Sequence, residues 1–157
     1  MQVTIDRAFA TTTHDEIAKF ENRRGVRLPD GYKRFLLMYN GGRPKPDAFD
    51  VPDWPHENSG LQRFFGIHPG RDYDLEHEWE DYSDRVPGDL MPIACDSFGN
   101  VICLGIEGKR LGKIYFWDHE DELDEDGDFV KDYRNVYLLA NSLDEFLDKL
   151  YEYEDES

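Results

Sequence analysis

Two stretches in the N-terminal forty residues carry apolar side chains at the spacing of an α-helix. In the first stretch, Thr13 and Glu16 have the spacing of a capping box, and Ile17 and Phe20 follow on one face. Gly25 comes directly after this pattern, at a position where helices commonly end with left-handed backbone. The pattern therefore predicts a helix between Thr13 and Gly25.

A second helix is predicted a few residues further on. Pro29 stands at its start, where the missing N–H of proline costs little, and Asn40-Gly41-Gly42 ends it. Between these two signals the chain carries a broad apolar stripe at helical spacing, formed by Tyr32, Phe35, Leu36 and Tyr39. The two helices together predict an αα unit at the N-terminus.

The centre of the chain has the pattern of a sheet interrupted by one acidic helix. Residues 43–60 contain four prolines and are expected to be irregular. A short strand is predicted over residues 61–67, and an acidic helix is predicted over residues 72–85. Three strand-like runs separated by short turns follow, which predicts an antiparallel meander; they cover residues 90–95, 101–106 and 113–117.

The C-terminal part begins with a glycine-containing segment rich in Asp and Glu, residues 119–135, which we call the acidic loop. A short apolar run over residues 136–140 has the length of a strand. Ser142 and Glu145 then repeat the capping-box spacing in front of a last amphipathic segment. This order predicts a final strand followed by a final helix.

The predicted fold class is α+β: an antiparallel sheet, arranged as a meander, packed by the N-terminal αα unit and a C-terminal helix. At 157 residues the chain has room for one domain with a substantial core. We therefore expect a single domain over residues 1–157, with residues 152–157 as a frayed acidic tail.

The charge of the chain excludes several classes of partner. The chain has 18 basic and 35 acidic side chains, a formal net charge of −17, and the acidic loop and C-terminal helix hold much of the excess. A nucleic-acid-binding protein must neutralise phosphates with Lys and Arg, so this composition argues against nucleic acid and against anionic membranes. Aromatic residues make up 14% of the chain, which is too many for a disordered acidic segment.

Compartment and redox state are inferred from what the sequence lacks. No apolar run approaches the length of a membrane span, and the first residues lack the pattern of a secretory signal. The two cysteines, Cys95 and Cys103, are too few for a disulfide framework. If residues 98–100 form a three-residue turn, these thiols face each other on paired strands. We expect a cytoplasmic protein with reduced cysteines.

The acidic loop invites comparison with a calcium-binding loop. When Gly127 is aligned with the invariant glycine of such a loop, Glu122 falls at the first ligand position and Tyr133 at the twelfth. A calcium-binding loop has Asp at the first position and a bidentate Glu at the twelfth, so neither anchoring ligand matches. No specific metal site is therefore predicted, and weak divalent binding by the clustered carboxylates stays open. No phosphate-cradling glycine motif is present either, and we predict no cofactor.

Two carboxylates that follow core-like strands are candidates for a catalytic role. Asp96 is expected to accept backbone N–H groups across the turn that follows it, a common role for Asp in turns. Asp118 stands next to His119, so a hydrolase that uses this pair is one hypothesis. No nucleophile accompanies them in the sequence, and we expect that the protein is not an enzyme.

The acidic helix and the start of the acidic loop form the predicted partner-binding site. Clustered like charges either make a solvated surface or meet a basic partner, which would speed association and reject wrong partners. Trp54 and Trp79 are candidate aromatic anchors if they are exposed. The predicted partner-binding residues are Asp72, Asp74, Glu76, Glu78, Glu80, Asp81, Trp54, Glu120, Asp121, Glu122 and Asp124.

Four ordered segments of the chain resemble the SUKH superfamily, which contains bacterial immunity proteins and fungal cell-wall-synthesis regulators. The first runs from Leu28-Pro29-Asp30-Gly31-Tyr32 to Asn40-Gly41-Gly42, and the second is Met91-Pro92-Ile93-Ala94 with Asp96 and Gly99-Asn100. The third is Ile114-Tyr115-Phe116-Trp117-Asp118, and the fourth is Leu139-Ala140-Asn141-Ser142 with Phe146-Leu147. The resemblance covers residues 16–150.

The resemblance implies a non-enzymatic binding protein with an α+β fold. Bacterial members are typically encoded beside toxins and protect the producing cell by binding the toxin, often a nuclease or a nucleic-acid deaminase. The leading hypothesis is therefore an immunity protein (antitoxin) that masks the basic active site of a cognate toxin with its acidic surface. The alternative is a scaffold or regulatory module of the fungal type. The oligomeric state is left open.

Overall fold

A computed structural model describes residues 3–153 of the chain; residues 154–157, most of the predicted frayed tail, lie outside the described residues. The four α-helices in this part are His14–Arg24 (α1), Asp30–Tyr39 (α2), Leu75–Tyr82 (α3) and Leu143–Asp148 (α4). Its eight strands are Thr4–Asp6 (β1), Arg43–Lys45 (β2), Ala48–Asp50 (β3), Asn58–Phe64 (β4), Leu90–Asp96 (β5), Val101–Gly105 (β6), Ile114–Trp117 (β7) and Val136–Ala140 (β8). None of the helices between residues 3 and 153 has the length and apolar character needed to cross a bilayer.

The predicted helix ends are confirmed for the first and last helices. The hydroxyl of Thr13 accepts a hydrogen bond from the backbone N–H of Glu16 at 3.1 Å, and Gly25 adopts a φ of 66° directly after α1. In α4 the hydroxyl of Ser142 accepts from the backbone N–H of Glu145, also at 3.1 Å. Local capping chemistry therefore sets these boundaries.

The Asn-Gly-Gly segment after α2 does more than end the helix. The side-chain amide of Asn40 donates to the carbonyls of Ala10 and Ile67 at 2.9 and 2.8 Å, and its Oδ1 accepts from the N–H of Ile67 at 2.8 Å. A Cβ atom at Gly41 would lie 2.8 Å from the carbonyl oxygen of Phe64. These contacts clamp the end of α2 against the end of β4 and the N-terminal segment.

The main sheet confirms the predicted antiparallel meander and enlarges it to six strands in the order β3-β4-β5-β6-β7-β8. A separate pair, β1 and β2, forms a two-stranded antiparallel sheet. The expectation that residues 43–60 are irregular was wrong, because β2, β3 and the start of β4 lie there. Pro44 pairs with Ile5, and Ala48 pairs with Gly60, so these short strands are specified by their partners rather than by local apolar alternation.

The acidic helix is shorter than the predicted span of residues 72–85. Helix α3 begins only at Leu75, because the carboxylate of Asp74 caps it by accepting the backbone N–H of His77 at 3.1 Å. Tyr73 has a left-handed φ of 63°, which turns the chain just before the cap. The residues before Leu75 therefore form a turn.

Both faces of the sheet are covered, and they are covered differently. Helices α1, α2 and α4 contribute to the main core together with one set of alternate strand residues, such as Ile114 and Phe116 of β7. The intervening residues of the same strand, Tyr115 and Trp117, join a smaller cluster on the other face. That second cluster is completed by Val86, Leu90, Val101 and Cys103, with Tyr82 and Tyr133 packed against it.

The two cysteines do not face each other as predicted. Cys95 pairs with Val101, two residues before Cys103, and a register irregularity between Pro92 and Ala94 then places Cys103 opposite Pro92. The N–H of Asp96 donates to the carbonyl of Asn100 at 3.1 Å. The turn therefore consists of residues 97–99 and lies one residue earlier than the expected turn of residues 98–100. Both thiols are free and contribute to the smaller core cluster.

Candidate partner-binding surface

The structure joins the acidic loop to the segment that follows α3. The guanidinium of Arg85 donates to both carboxylate oxygens of Glu122, at 2.7 and 3.1 Å. Lys131 donates to the carbonyl of Ser83 at 3.0 Å. The two acidic regions that are separate in the sequence therefore meet over the smaller core cluster.

Several of the predicted partner-binding acids already have a role in the fold. Asp74 is only 6% exposed and is the N-cap of α3. Glu76 pairs with Arg23 of α1 at 2.9 Å, and Asp81 pairs with Arg71 at 3.2 Å. Glu122 holds the acidic loop through Arg85, so these four acids are less available to a partner than the sequence suggested.

Six of the predicted acids make no ion pair within 4 Å among residues 3–153. Burial raises the pKa of the Glu78 carboxyl, and the neighbouring charges of Asp81 and Asp72 add to the rise. Four of these six acids are exposed on the protein surface, and Glu78 and Asp124 are partly buried. The six residues are Asp72, Glu78, Glu80, Glu120, Asp121 and Asp124.

The tip of the acidic loop is ordered by its own hydrogen bonds. The Oδ1 atom of Asp124 accepts the backbone N–H groups of Asp126 and Asp128 at 2.9 and 3.0 Å, and a bridge joins Leu123 to Phe129. One oxygen of Asp124 is thereby committed to the backbone. Within the described part of the chain, no group of three or more His, Cys, Asp or Glu residues is placed to hold a metal ion.

The exposed apolar side chains near these acids are not the ones that the sequence indicated. Trp54 is 9% exposed and packs against Phe116, so it does not meet the condition of exposure. Trp79 packs against Phe20 beneath the guanidinium of Arg24. Leu123 and Phe129 at the loop tip and Phe98 in the β5–β6 turn are exposed instead. Only the structure reveals them, because an apolar residue in a turn or acidic loop has no periodic signal.

A pocket of about 280 Å³ lies between the β5–β6 turn and the start of the acidic loop. It has aromatic walls and an acidic floor and rim. The residues that form it include Trp54, His56, Phe98, Asn100, Asp118 and Glu120. The pocket therefore adjoins the exposed acids of the loop.

Hydrogen bonds hold the floor of this pocket in place. The carboxylate of Asp118, 3% exposed, accepts the indole N–H of Trp54 at 2.9 Å and the backbone N–H of Glu120 at 2.9 Å. The amide of Asn135 donates to the carbonyl of Asp118 at 3.0 Å. The backbone N–H of His119 donates to the side chain of Asn100 at 3.0 Å. This arrangement fixes a buried carboxylate at the bottom of an open site.

The role predicted for Asp96 is confirmed. Its Oδ1 accepts the backbone N–H groups of Phe98 and Asn100, each at 2.9 Å. Its Oδ2 accepts the hydroxyl of Ser59 and the side-chain amide of Asn100, each at 2.8 Å. Asp96 is therefore the structural centre of the hairpin turn.

The ionisable groups of the pocket are the carboxylates of Asp118 and Glu120 and the imidazole of His56. None of the described residues that line it carries a hydroxyl, thiol or amine nucleophile. The imidazole of His119 lies beside Gly99 and does not line the pocket. Asp118 and His119, the pair of the hydrolase hypothesis, are therefore not brought together in this pocket.

These features define an α+β protein built on a meander sheet, with exposed acids on the segment around α3 and on the acidic loop. The chain belongs to the SMI1/KNR4 family (SUKH-1), whose family model matches residues 11–149. Proteins of this family are generally non-enzymatic. The chain is also 33% identical over 165 residues to the SPbeta prophage-derived uncharacterized protein YokK of Bacillus subtilis strain 168, a match that covers 93% of this chain and 79% of that protein.

Proposed function

We propose that this chain is an immunity protein that binds a toxin with a basic surface and blocks its active site. The binding surface is formed by the exposed acids of α3 and the acidic loop. The protein acts by binding and catalyses no reaction. A toxin that cleaves or deaminates nucleic acid is the favoured partner, because its substrate cleft must attract phosphate and would equally attract this surface.

One observation carries the proposal: six acids of the predicted site make no ion pair in the described residues, and three of them share the acidic loop with the exposed side chains of Leu123 and Phe129. Acids that stabilised the fold would be expected to have partners, as Glu76 and Glu122 have. Unpaired acids next to Leu123 and Phe129 instead give the mixture of charge and apolar area that protein interfaces use.

The bacterial relative supports an immunity role over that of a fungal regulator. The similar protein comes from Bacillus subtilis and is described as prophage-derived. The match covers most of both chains, so it is a match between whole domains. This relationship favours the bacterial branch of the family, in which toxin neutralisation is the typical role.

The first test is co-expression with the product of the adjacent gene, followed by co-purification and a cell-survival assay. We expect a stable complex and survival only when this chain is present. The second test reverses the unpaired acids Glu80, Glu120 and Asp121 to Lys and measures the association rate at low salt. The rate should fall about tenfold or more, because electrostatic steering of this kind changes rates by 10–10³.

A matched control reverses Asp6, Asp47 and Glu107, which are exposed and lie outside α3 and the acidic loop. This control changes the net charge by the same amount, and we expect it to slow association much less. Equal slowing in both triple variants would remove the acidic surface from the proposal. Absence of a complex, with no protection of the cell, would overturn the proposed function itself.

A further inference from the structure

We propose that the pocket above Asp118 is a specific binding site for the guanidinium group of an arginine side chain on the protein partner. This inference rests on the proposed function, since the arginine belongs to the toxin. General attraction between an acidic and a basic surface requires no defined pocket. Here one pocket accepts one type of side chain.

The pocket contains two carboxylates, one buried and one exposed. Asp118 lies at its floor and Glu120 at its rim, and none of the described residues that line it is Lys or Arg. Neither carboxylate has an ion-pair partner within 4 Å among residues 3–153. Each oxygen of Asp118 accepts one hydrogen bond from the protein, so each still has a lone pair for a further donor. A buried carboxylate without a cation gains most from a partner that brings one.

The walls of the pocket favour a flat cation. Trp54 and His56 pack edge to face with their ring centres 4.8 Å apart, and Phe98 stands at the opening. A guanidinium is planar, stacks on aromatic rings and donates from several N–H groups at once, whereas an ammonium is a compact and strongly hydrated charge. Aromatic walls around a carboxylate floor therefore select arginine over lysine.

The exposure of Phe98 is a second and independent sign of binding. Its side chain is 69% exposed in the turn between β5 and β6. The turn uses only its backbone N–H, which donates to Asp96, and almost any residue could provide that hydrogen bond. Folding therefore does not require a phenyl ring at this position. A ring that lines the pocket from outside is suited to cover the stem of an inserted arginine.

The size and rigidity of the site also fit a single side chain. A volume of about 280 Å³ lies just below the ~300–1,000 Å³ of sites that hold drug-sized molecules. The floor is fixed in advance by the hydrogen bonds of Trp54, Glu120 and Asn135 to Asp118. Binding therefore loses little freedom in the protein, as expected for an interface hot spot.

The first test uses this protein alone and small probes. The indole N–H of Trp54 donates into the pocket floor, so its ¹H–¹⁵N NMR signal reports on the site; a Trp54→Phe sample assigns it. N-acetyl-arginine methylamide is titrated against the citrulline analogue, which has the same shape without the charge. We expect the Trp54 signal to shift and saturate with the arginine probe only. No shift with arginine, or an equal shift with citrulline, would overturn the site.

The second test uses exposed residues that can be changed without disturbing the floor. Phe98→Ala and Glu120→Gln should each weaken arginine-probe binding and toxin binding, the latter by about thirtyfold, the size of one hot-spot contact. The matched controls Phe129→Ala and Glu125→Gln remove an equivalent ring and charge from the acidic loop and should leave the probe unaffected. If the complex forms but Phe98→Ala and Glu120→Gln bind as tightly as the original chain, the pocket is wrong and the proposed function stands. If no complex forms, the proposed function fails, and with it the assignment of the arginine to a toxin, whatever the probe shows.

Discussion

The indole N–H of Trp54 donates to the buried carboxylate of Asp118 across 2.9 Å, although the two residues are 64 positions apart in the chain. Trp54 lies in the connection between β3 and β4, and Asp118 directly follows β7. This hydrogen bond ties a connection at one edge of the sheet to the end of a strand near the other edge. It also shapes the floor of the pocket.

Replacing Trp54 by Phe should lower the free energy of unfolding by about 1–3 kcal/mol, because it leaves a buried carboxylate oxygen without its donor. Urea denaturation measures this change. In a double-mutant cycle with Asp118→Ala, which removes the acceptor, the two losses should not add, and the coupling should be about 0.5–3 kcal/mol. Simple additivity would show that the hydrogen bond contributes nothing to stability.

Replacing Asp96 by Ala should be among the most damaging single changes, at about 3–5 kcal/mol of unfolding free energy. The carboxylate accepts four hydrogen bonds, and its loss leaves the buried side chains of Ser59 and Asn100 unsatisfied. The matched control is Asp126→Ala in the exposed loop tip, which should change stability by less than about 0.5 kcal/mol. Similar values for the two variants in a thermal or urea melt would contradict the role of Asp96.

Replacing Glu78 by Gln should stabilise the protein at pH 7 by about 0.5 kcal/mol, the size of one like-charge contact on a helix. Burial raises the pKa of this carboxyl in the folded protein above its value in the unfolded chain, so the ionised form opposes folding. The gain should shrink as the pH falls through the raised pKa and vanish below about 4.3, where both states are protonated. A gain that is independent of pH would rule out a charge effect.

The two thiols should be unreactive in the folded protein. Burial raises the pKa of Cys95 to about 11 and raises that of Cys103 as well, so neither is a thiolate at neutral pH. Ellman's reagent at pH 8 should react with both rapidly in denaturant and only slowly without it. Because the unfolded thiols ionise first, stability should also decline between about pH 8.5 and 11. Rapid labelling of the native protein would contradict the burial of these side chains.

Local chemistry made the helices and the central strands predictable. Thr13, Gly25 and Ser142 determine helix ends through contacts within a few residues, so the sequence around each one is sufficient. Strands β5 to β8 are long enough to show their apolar character without their neighbours. The role of Asp96 was predictable for the same reason, because most of its partners are its own turn residues.

The short strands, the pocket and the pairing of the acids depend on residues that are distant in the chain, so they could not be predicted from local sequence. Strands β2 and β3 are three residues each and become visible only through pairing with β1 and β4. The pocket depends on Trp54, a candidate anchor in the sequence only if exposed; its indole is instead buried and hydrogen-bonded to Asp118, which is distant in the chain. The sequence alone does not show which acids are available to a partner. Glu76 and Glu80 are equivalent in the sequence, and only the structure shows that Glu76 is paired with Arg23.

The acidic loop is attached to the rest of the protein near its two ends. Glu122 binds Arg85 at one end, while the hydroxyl of Tyr133 donates to Asp89 and Asn135 is buried at the other. Between these anchors, residues 125–129 are exposed and belong to neither core cluster. Random substitutions should therefore be tolerated far better in this stretch than in the strands beneath it. During evolution the loop tip can drift quickly in sequence while the sheet stays constant, so closely similar folds can carry different recognition surfaces.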